Sequence, residues 1–436
     1  MTNPGGEKLP PTFAELGVRP EIVSALAEND IVRTFAIQEL TLPLALAGED
    51  VIGQARTGTG KTLGFGVPLL QRITPPGERA AATAEGEAAD RTKDVPQALV
   101  VVPTRELCVQ VARDIAAAGK NLGVRVVAIY GGRAYEPQLE ALRKGVDVIV
   151  GTPGRLLDLM NQKHLRLDAV EHFVLDEADR MLDMGFIRDV RKVVAALPKK
   201  RQTLFFSATM PADVAGLAGD ILCNPVEVAV TPAATPVERI DQRVYFVEAG
   251  DKRTLLTQLV RDAEIKRAIV FTRTKHRANR VADNLRRAGI EADAIHGNKS
   301  QGARQKALKG FSSGRIQVLV ATDIAARGID IDDVTHVINF ELPNVPDDYV
   351  HRIGRTARAG ASGIAISLCD PSEQAYLRDI EKLTGRPLSI AGGEPAAHEP
   401  PPAGRKSRGG GSGQRSQRRT GNKRRRPGHQ RRNRAA

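Results

Sequence analysis

Three short blocks of residues carry the chemistry of this chain. Asp176-Glu177-Ala178-Asp179 closes the apolar run Phe173-Val174-Leu175, so a pair of carboxylates stands at the end of a buried strand. Upstream lies the glycine-rich loop ARTGTGKT, Ala55 to Thr62, and far downstream the arginine-rich HRIGRTAR, His351 to Arg358. A phosphate cradle, a carboxylate pair and a distant source of arginine are the parts that phosphoryl transfer from a nucleoside triphosphate requires. Gly58 and Gly60, with Thr57 and Thr59 beside them, let the backbone turn tightly enough to aim N–H groups at phosphate oxygens. The helix that follows adds its positive N-terminus. Lys61 would neutralise charge on the terminal phosphates and Thr62 would hold Mg²⁺. The strict loop pattern starts on Gly, where this chain has Ala55. Of the carboxylates, one can bind the metal while the other orients or deprotonates water. The ordinary alternative for such a pair is a solvated acidic turn, and its place directly after a buried strand argues against that.

These blocks need rigid elements to hold them. Apolar runs of strand length alternate with helical patterns, the arrangement that gives parallel sheets covered on both faces, hence an α/β fold. In the first half the strands are expected at 50–53, 98–102, 124–130, 146–150, 173–175 and 203–206. In the second half they are expected at 268–271, 291–295, 318–321, 336–339 and 364–368. The proline-punctuated stretch Thr231 to Pro236 reads as a linker. The expected organisation is a first domain over 1–230, a linker over 231–243, a second domain over 244–391 and a tail over 392–436. A surface insertion is expected at about 74–97, inside the first domain.

A chain of 436 residues is long enough for two domains with proper cores. Three scattered cysteines make neither a disulfide framework nor a zinc site, which points to a reducing, cytoplasmic setting. No stretch approaches the ~20 apolar residues of a membrane span, and the first residues do not resemble a secretory signal. The charge is informative by its location. Of 64 basic and 51 acidic residues, thirteen basic and no acidic ones lie from residue 400 onward, so residues 1–399 hold equal numbers of each. A tail this basic and this poor in apolar residues cannot offset its ordering entropy and is expected to be disordered. Its cations suit a nonspecific hold on a nucleic-acid backbone, with a solubilising or localising tail as the alternative.

Beyond these blocks the chain carries PTREL (Pro103 to Leu107), the pair Gly131-Gly132, TPGR (Thr152 to Arg155), SAT (Ser207 to Thr209), VFTRT (Val270 to Thr274), Gln301 to Arg304 and TDIAARGID (Thr322 to Asp330). In this order they resemble the DEAD-box family of ATP-dependent RNA helicases, bacterial in type, over about residues 13–390. The resemblance implies two tandem RecA-like domains that hydrolyse ATP on binding RNA and open duplexes locally. By the same resemblance Gln38 reads the adenine edge, Phe13 is the aromatic ring stacked upstream, and Asp330 contacts the ribose. Asp176 meets Mg²⁺ and Glu177 acts on the attacking water. Arg355 and Arg358 reach the γ-phosphate when the domains close, while Ser207, Thr209 and His351 couple the nucleotide and RNA states. Around Gln38 the chain departs from the family, with Asp30, Thr34 and Ala36 where members usually carry a glycine and two prolines.

The RNA contacts implied are Thr104, Arg105, Gly132, Thr152 and Arg155 in the first domain, and Gly297, Arg304 and Thr322 in the second. Hydroxyls, guanidiniums and close-approach glycines hold phosphates and sugars without reading bases, so binding is expected to be largely independent of sequence. With few aromatic residues and no Trp, an extended stacking platform for RNA is not expected. Two other functions stay open at this point: an ATP-gated RNA clamp or scaffold, and a DNA-directed motor. Ribosome assembly, messenger decay and cold-induced unfolding all use such a core, so the sequence leaves the physiological RNA open, with ribosomal or RNA-decay proteins among the expected partners.

Overall fold

A computed structural model describes residues 9–55, 58–76, 78, 95–230, 240–326, 334–357 and 362–395. Two seven-stranded, all-parallel sheets form, one in each half of the chain. The first runs in the order β3-β4-β2-β5-β6-β1-β7, with β1 Val51–Gln54, β2 Ala98–Val101, β3 Val126–Ile129, β4 Val148–Gly151, β5 His172–Leu175, β6 Gln202–Ser207 and β7 Val226–Ala229. The second runs β10-β11-β9-β12-β13-β8-β14, with β8 Ile240–Phe246, β9 Ala268–Phe271, β10 Ala292–Ile295, β11 Val318–Ala321, β12 His336–Asn339, β13 Gly363–Cys369 and β14 Ser389–Gly392.

The central strands are short apolar runs because both of their faces are covered. Along β2, β4 and β5 alternate residues enter opposite cores. Val100, Val150 and Val174 pack on one side of the sheet, and Leu99, Ile149 and Phe173 on the other. The second sheet repeats this with Ile269, Leu319 and Val337 on one face and Val270, Val320 and Ile338 on the other. Parallel pairing puts the carboxyl ends of all the strands on one edge, where open α/β sheets bind ligands.

Three strands lie outside the sequence expectation. β7 and β14 are edge strands with half-exposed residues, and β8, IDQRVYF, mixes polar with apolar side chains. None makes the apolar run by which a central strand is recognised. β8 begins at Ile240, so the last residues assigned to the linker belong instead to a paired strand, and 231–239 lie outside the described residues. The insertion expected at 74–97 is tied at its base, not loose there. The Gln97 side chain accepts from the Thr74 N–H at 2.9 Å and donates to the Thr74 carbonyl at 3.0 Å, and Val95 and Gln97 are buried. Residues 79–94 of that segment, and the basic tail from 396, lie outside the described residues.

The second lobe is knit together by buried charge. Arg352, on the helix Pro346–Ile353, donates to both Asp323 carboxylate oxygens at 2.6 and 2.8 Å, to Asn339 at 3.1 Å and to the Glu341 carbonyl at 2.6 Å. Lys252, equally buried, pairs with Asp370 at 2.9 Å and with Glu373, which also receives Arg273 at 2.7 Å. Removing one partner of such a cluster leaves uncompensated charge in a poorly solvated place. Lys252→Met is therefore expected to destabilise the second lobe by about 3–5 kcal/mol, read as a lower urea midpoint at an unchanged slope.

Candidate functional site

The carboxyl ends of three adjacent strands, β1, β6 and β5, bring the first two sequence blocks and SAT together. Ala55 continues β1 by donating its N–H to the Ser207 carbonyl at 3.0 Å, an extended pairing that an alanine accommodates. The loop then turns through Gly58 and Gly60 at φ of 85° and 82°, where side chains are strained, and Gly60 caps the helix Lys61–Arg72. Thr62 lies in the first turn of that helix and Thr59 half-buried in the loop. Thr57 is outside the described residues.

Lys61 Nζ stands 3.5 Å from Asp176 Oδ1, with both side chains buried. Among the described residues no hydrogen-bond acceptor reaches that ammonium. Burial pushes the Asp176 carboxyl up to about 6, with Lys61 opposing the shift and Glu177 adding to it. A buried ammonium short of acceptors at a helix N-terminus fits a polyphosphate. A crowded, buried carboxylate fits a hard divalent cation completed by phosphate oxygens and water, which does not need a cage of protein ligands. Glu177 is buried and sits in the left-handed region at φ 55°. That conformation is uncommon for a residue with a Cβ and is typically kept where a site requires it.

Asp179, not singled out in the sequence, organises SAT. One of its carboxylate oxygens accepts from the Thr209 N–H at 2.9 Å and from its hydroxyl at 3.0 Å, while the Asp179 N–H donates to Ser207 Oγ at 3.2 Å. The second lobe contributes Arg355, which is buried among Arg180, Asp323, His351 and Arg352 around a cavity of about 10 Å³. Burial pushes its guanidinium down to about 10, reinforced by Arg180 and opposed by Glu177. His351 sits one turn earlier and its carbonyl accepts from Arg355 Nε at 3.2 Å. Arg358 and Asp330 lie outside the described residues.

The two residues expected at the base, Phe13 and Gln38, are placed as follows. Phe13 is 1% exposed and packs with Val18, Ile22, Leu26 and Ile37 in the core, so its ring turns no face outward. Gln38 is buried and bonded to main chain at both ends of its amide, accepting from the Phe35 N–H at 2.9 Å and donating to the Gly60 carbonyl at 2.8 Å. It braces the phosphate loop.

A groove of about 490 Å³ gathers Thr104, Arg105, Thr152, Arg155, Gly297 and Arg304 from the expected RNA contacts. Gly132, at φ 77°, abuts it, since a Cβ there would run into the Arg105 guanidinium. Thr322 is not part of its lining. Two acids went unforeseen. Glu106 pairs with Arg304 at 2.8 Å and accepts from Gln301 at 3.1 Å, which links the lobes. Asp158 receives the Tyr135 hydroxyl, and the Arg155 guanidinium lies 4.0 Å above that ring. Nothing in the spacing of Glu106 or Asp158 marked them, because each acquires its partner only through the fold.

Comparison with known proteins gives concordant results. The DEAD/DEAH box helicase model matches residues 35–217 and the helicase conserved C-terminal domain model matches 251–360. The chain is 44% identical over 377 residues to the DEAD-box ATP-dependent RNA helicase CshA of Geobacillus kaustophilus, covering 86% of this chain and 77% of that protein. Among solved structures it is similar to S. cerevisiae Dbp5 bound to RNA and ADP BeF3, with a TM-score of 0.75 and 32% identity over 87% of this chain and 95% of that one. A variant of the same yeast protein bound to nup159, gle1, ip6 and adp gives a TM-score of 0.61 at 31% identity, over 86% of this chain and 96% of that one.

Asp179→Ala removes the one oxygen that accepts from both the N–H and the hydroxyl of Thr209. Amide exchange across residues 207–210 is expected to accelerate on the order of tenfold or more, since each bond to a charged acceptor contributes about 1.5–3 kcal/mol.

Proposed function

Since the chain belongs to the DEAD-box family of ATP-dependent RNA helicases, we propose that its ATPase site is split between the lobes and that RNA completes it. The observation that carries this reading is that Arg355 lines one cavity with Arg180, which stands 3.8 Å from Glu177, next to the buried Lys61–Asp176 pair. Support for a closed, RNA-engaged arrangement comes from two states of one yeast protein. At nearly equal identity, this chain is more similar to the state bound to RNA and ADP BeF3.

In this reading Lys61 and the loop amides hold the β- and γ-phosphates of ATP. Asp176 and Thr62 would hold Mg²⁺, which would supply charge that neutralises the phosphates. Glu177 orients the attacking water and takes its proton. Arg355 and Arg358 stabilise charge on the γ-phosphoryl oxygens, and Asp330 holds the ribose. A finger arginine of this kind is worth ~10³–10⁵ in rate, so hydrolysis is slow until the cleft closes. Thr209, held by Asp179, and His351 relay closure to the RNA groove. There Arg105, Arg155 and Arg304, with the hydroxyls of Thr104, Thr152 and Thr322 and the close-approach Gly132 and Gly297, grip the backbone of one strand. Bending that strand away from its complement opens a short duplex. Residues 400–436 add a sequence-independent second anchor, and the physiological partners are RNA and the proteins of ribosome assembly or RNA decay.

Glu177→Gln is expected to bind ATP and RNA while losing turnover by at least a hundredfold, the usual scale of general-base catalysis, whereas Lys61→Ala loses ATP binding. Unaltered ATPase in Glu177→Gln would refute the assignment of the water-activating carboxylate. Release of a labelled strand from a short RNA duplex, dependent on hydrolysable ATP, separates a helicase from an RNA clamp.

A chain ending near residue 395 is expected to bind RNA less tightly and with a flatter salt slope, by ~0.7 for each single-strand phosphate that the tail no longer neutralises. Its ATPase at saturating RNA is expected to stay close to that of the full chain. A salt slope equal to that of the full chain would remove the tail from RNA binding.

A further inference from the structure

The helix Lys275–Arg287 of the second lobe follows the VFTRT block and carries its charge against local preference. Its first turn holds Lys275, His276 and Arg277 and no acid, although the positive end of a helix dipole favours carboxylates. Arg277 and Arg280, one turn apart, add like charges that weaken a helix. Ala278, Val281, Ala282 and Leu285 face the core, and the cations stand on the exposed side. By helical spacing His276, Arg280 and Arg287 fall on one stripe of that side, about 16 Å long at 1.5 Å per residue. The acid on the helix, Asp283, is taken by Arg286, and Arg277 pairs with Glu341 at 3.1 Å. Lys275, His276, Arg280 and Arg287 have no acidic partner among the described residues. Departures from local preference of this kind concentrate where a function requires them.

The stripe begins beside the groove. Asn279 Oδ1, on the same helix, lies 2.9 Å from His296 Nε2, and His296 directly precedes Gly297 of the groove lining. His296 is held below its usual pKa, first by burial and then by Lys299, Arg304, Lys275 and His276. Arg304 belongs to the groove and Lys275 and His276 to the helix, so one positive field runs from the first onto the second. A polyanion that leaves the groove past Gly297 meets these cations next.

We propose that the exposed face of the helix Lys275–Arg287 is a second track for RNA, on which His276, Arg280 and Arg287 hold phosphates of the segment flanking the groove. The inference rests on the groove as the RNA site and extends that site along the second lobe. Cations on a convex helix face reach phosphates and no base edges, so the track adds affinity that grows with RNA length and carries no sequence preference.

The test uses the full-length chain, whose tail is common to every variant and drops out of the comparison. Arg280→Gln combined with Arg287→Gln removes two charges from exposed positions and keeps good helix formers there. An oligouridylate hexamer, short enough for the groove alone, and an octadecamer are titrated across salt with a non-hydrolysable ATP analogue present. In the double variant the octadecamer is expected to bind on the order of tenfold more weakly at low salt, with its salt slope reduced by about 1.4, or ~0.7 for each lost cation. Hexamer affinity and slope are expected to match the parent, and Arg280→Lys with Arg287→Lys is expected to restore octadecamer binding. An octadecamer bound as tightly and with the same slope as by the parent would overturn the proposal and leave the stripe to solvent or to an acidic protein. Equal weakening of both lengths would overturn it too, because the charges would then act on the groove and not on the flanking strand. Arg155→Gln separates the two readings: it should weaken both lengths alike, and failure there would count against the groove, not against the helix.

Discussion

Burial of like and unlike charges at one point is the constraint on which this structure turns. Buried charges of the first lobe stand in two adjoining pairs, Lys61–Asp176 and Glu177–Arg180, and Arg355 of the second lobe lines one cavity with Arg180. The carboxyl of Asp176 is driven toward its neutral form and the guanidinium of Arg355 is weakened as a base, both chiefly by loss of water. Such a cluster is poorly balanced by protein groups alone. In the proposed reading phosphate charge answers the ammonium and the guanidinium and a divalent cation answers the carboxylates, so ligand binding and closure of the lobes would relieve the same electrostatic strain.

From that point a short mechanical line runs outward. Asp179, on the turn that carries Asp176 and Glu177, fixes Thr209, and Ser207 ends the strand that pairs with the start of the phosphate loop. On the other side, Arg352 locks the helix bearing His351 to Asp323 and Asn339. Each of these is a charged group bonded within a packed element, and packed elements shift as units, which is what coupling between distant sites needs. The groove is joined to the same scheme through Glu106, whose carboxylate belongs to the first lobe and whose partners Arg304 and Gln301 belong to the second.

Much of this was legible in the chain. The central strands announce themselves as apolar runs, and the glycine loop, the carboxylate pair and HRIGRTAR carry their chemistry in their spacing. What escaped is what depends on neighbours. β7, β8 and β14 have side chains exposed along at least part of their length, so their composition is mixed. Phe13 looked like a ring available for stacking because sequence shows residue type and not orientation, and the fold turns it into the core. Gln38 carries two main-chain bonds that its residue type alone does not show. Glu106, Asp158 and Asp179 are ordinary acids until the lobes and loops deliver their partners.

The paired bonds between Thr74 and Gln97 hold together the two ends of the segment between them. With the two ends fixed a constant distance apart, lengthening the intervening chain costs little, because closure entropy grows only with the logarithm of length. Evolution can therefore vary that segment, and an engineer can graft a reporter or an affinity handle into it, without retuning the catalytic fold.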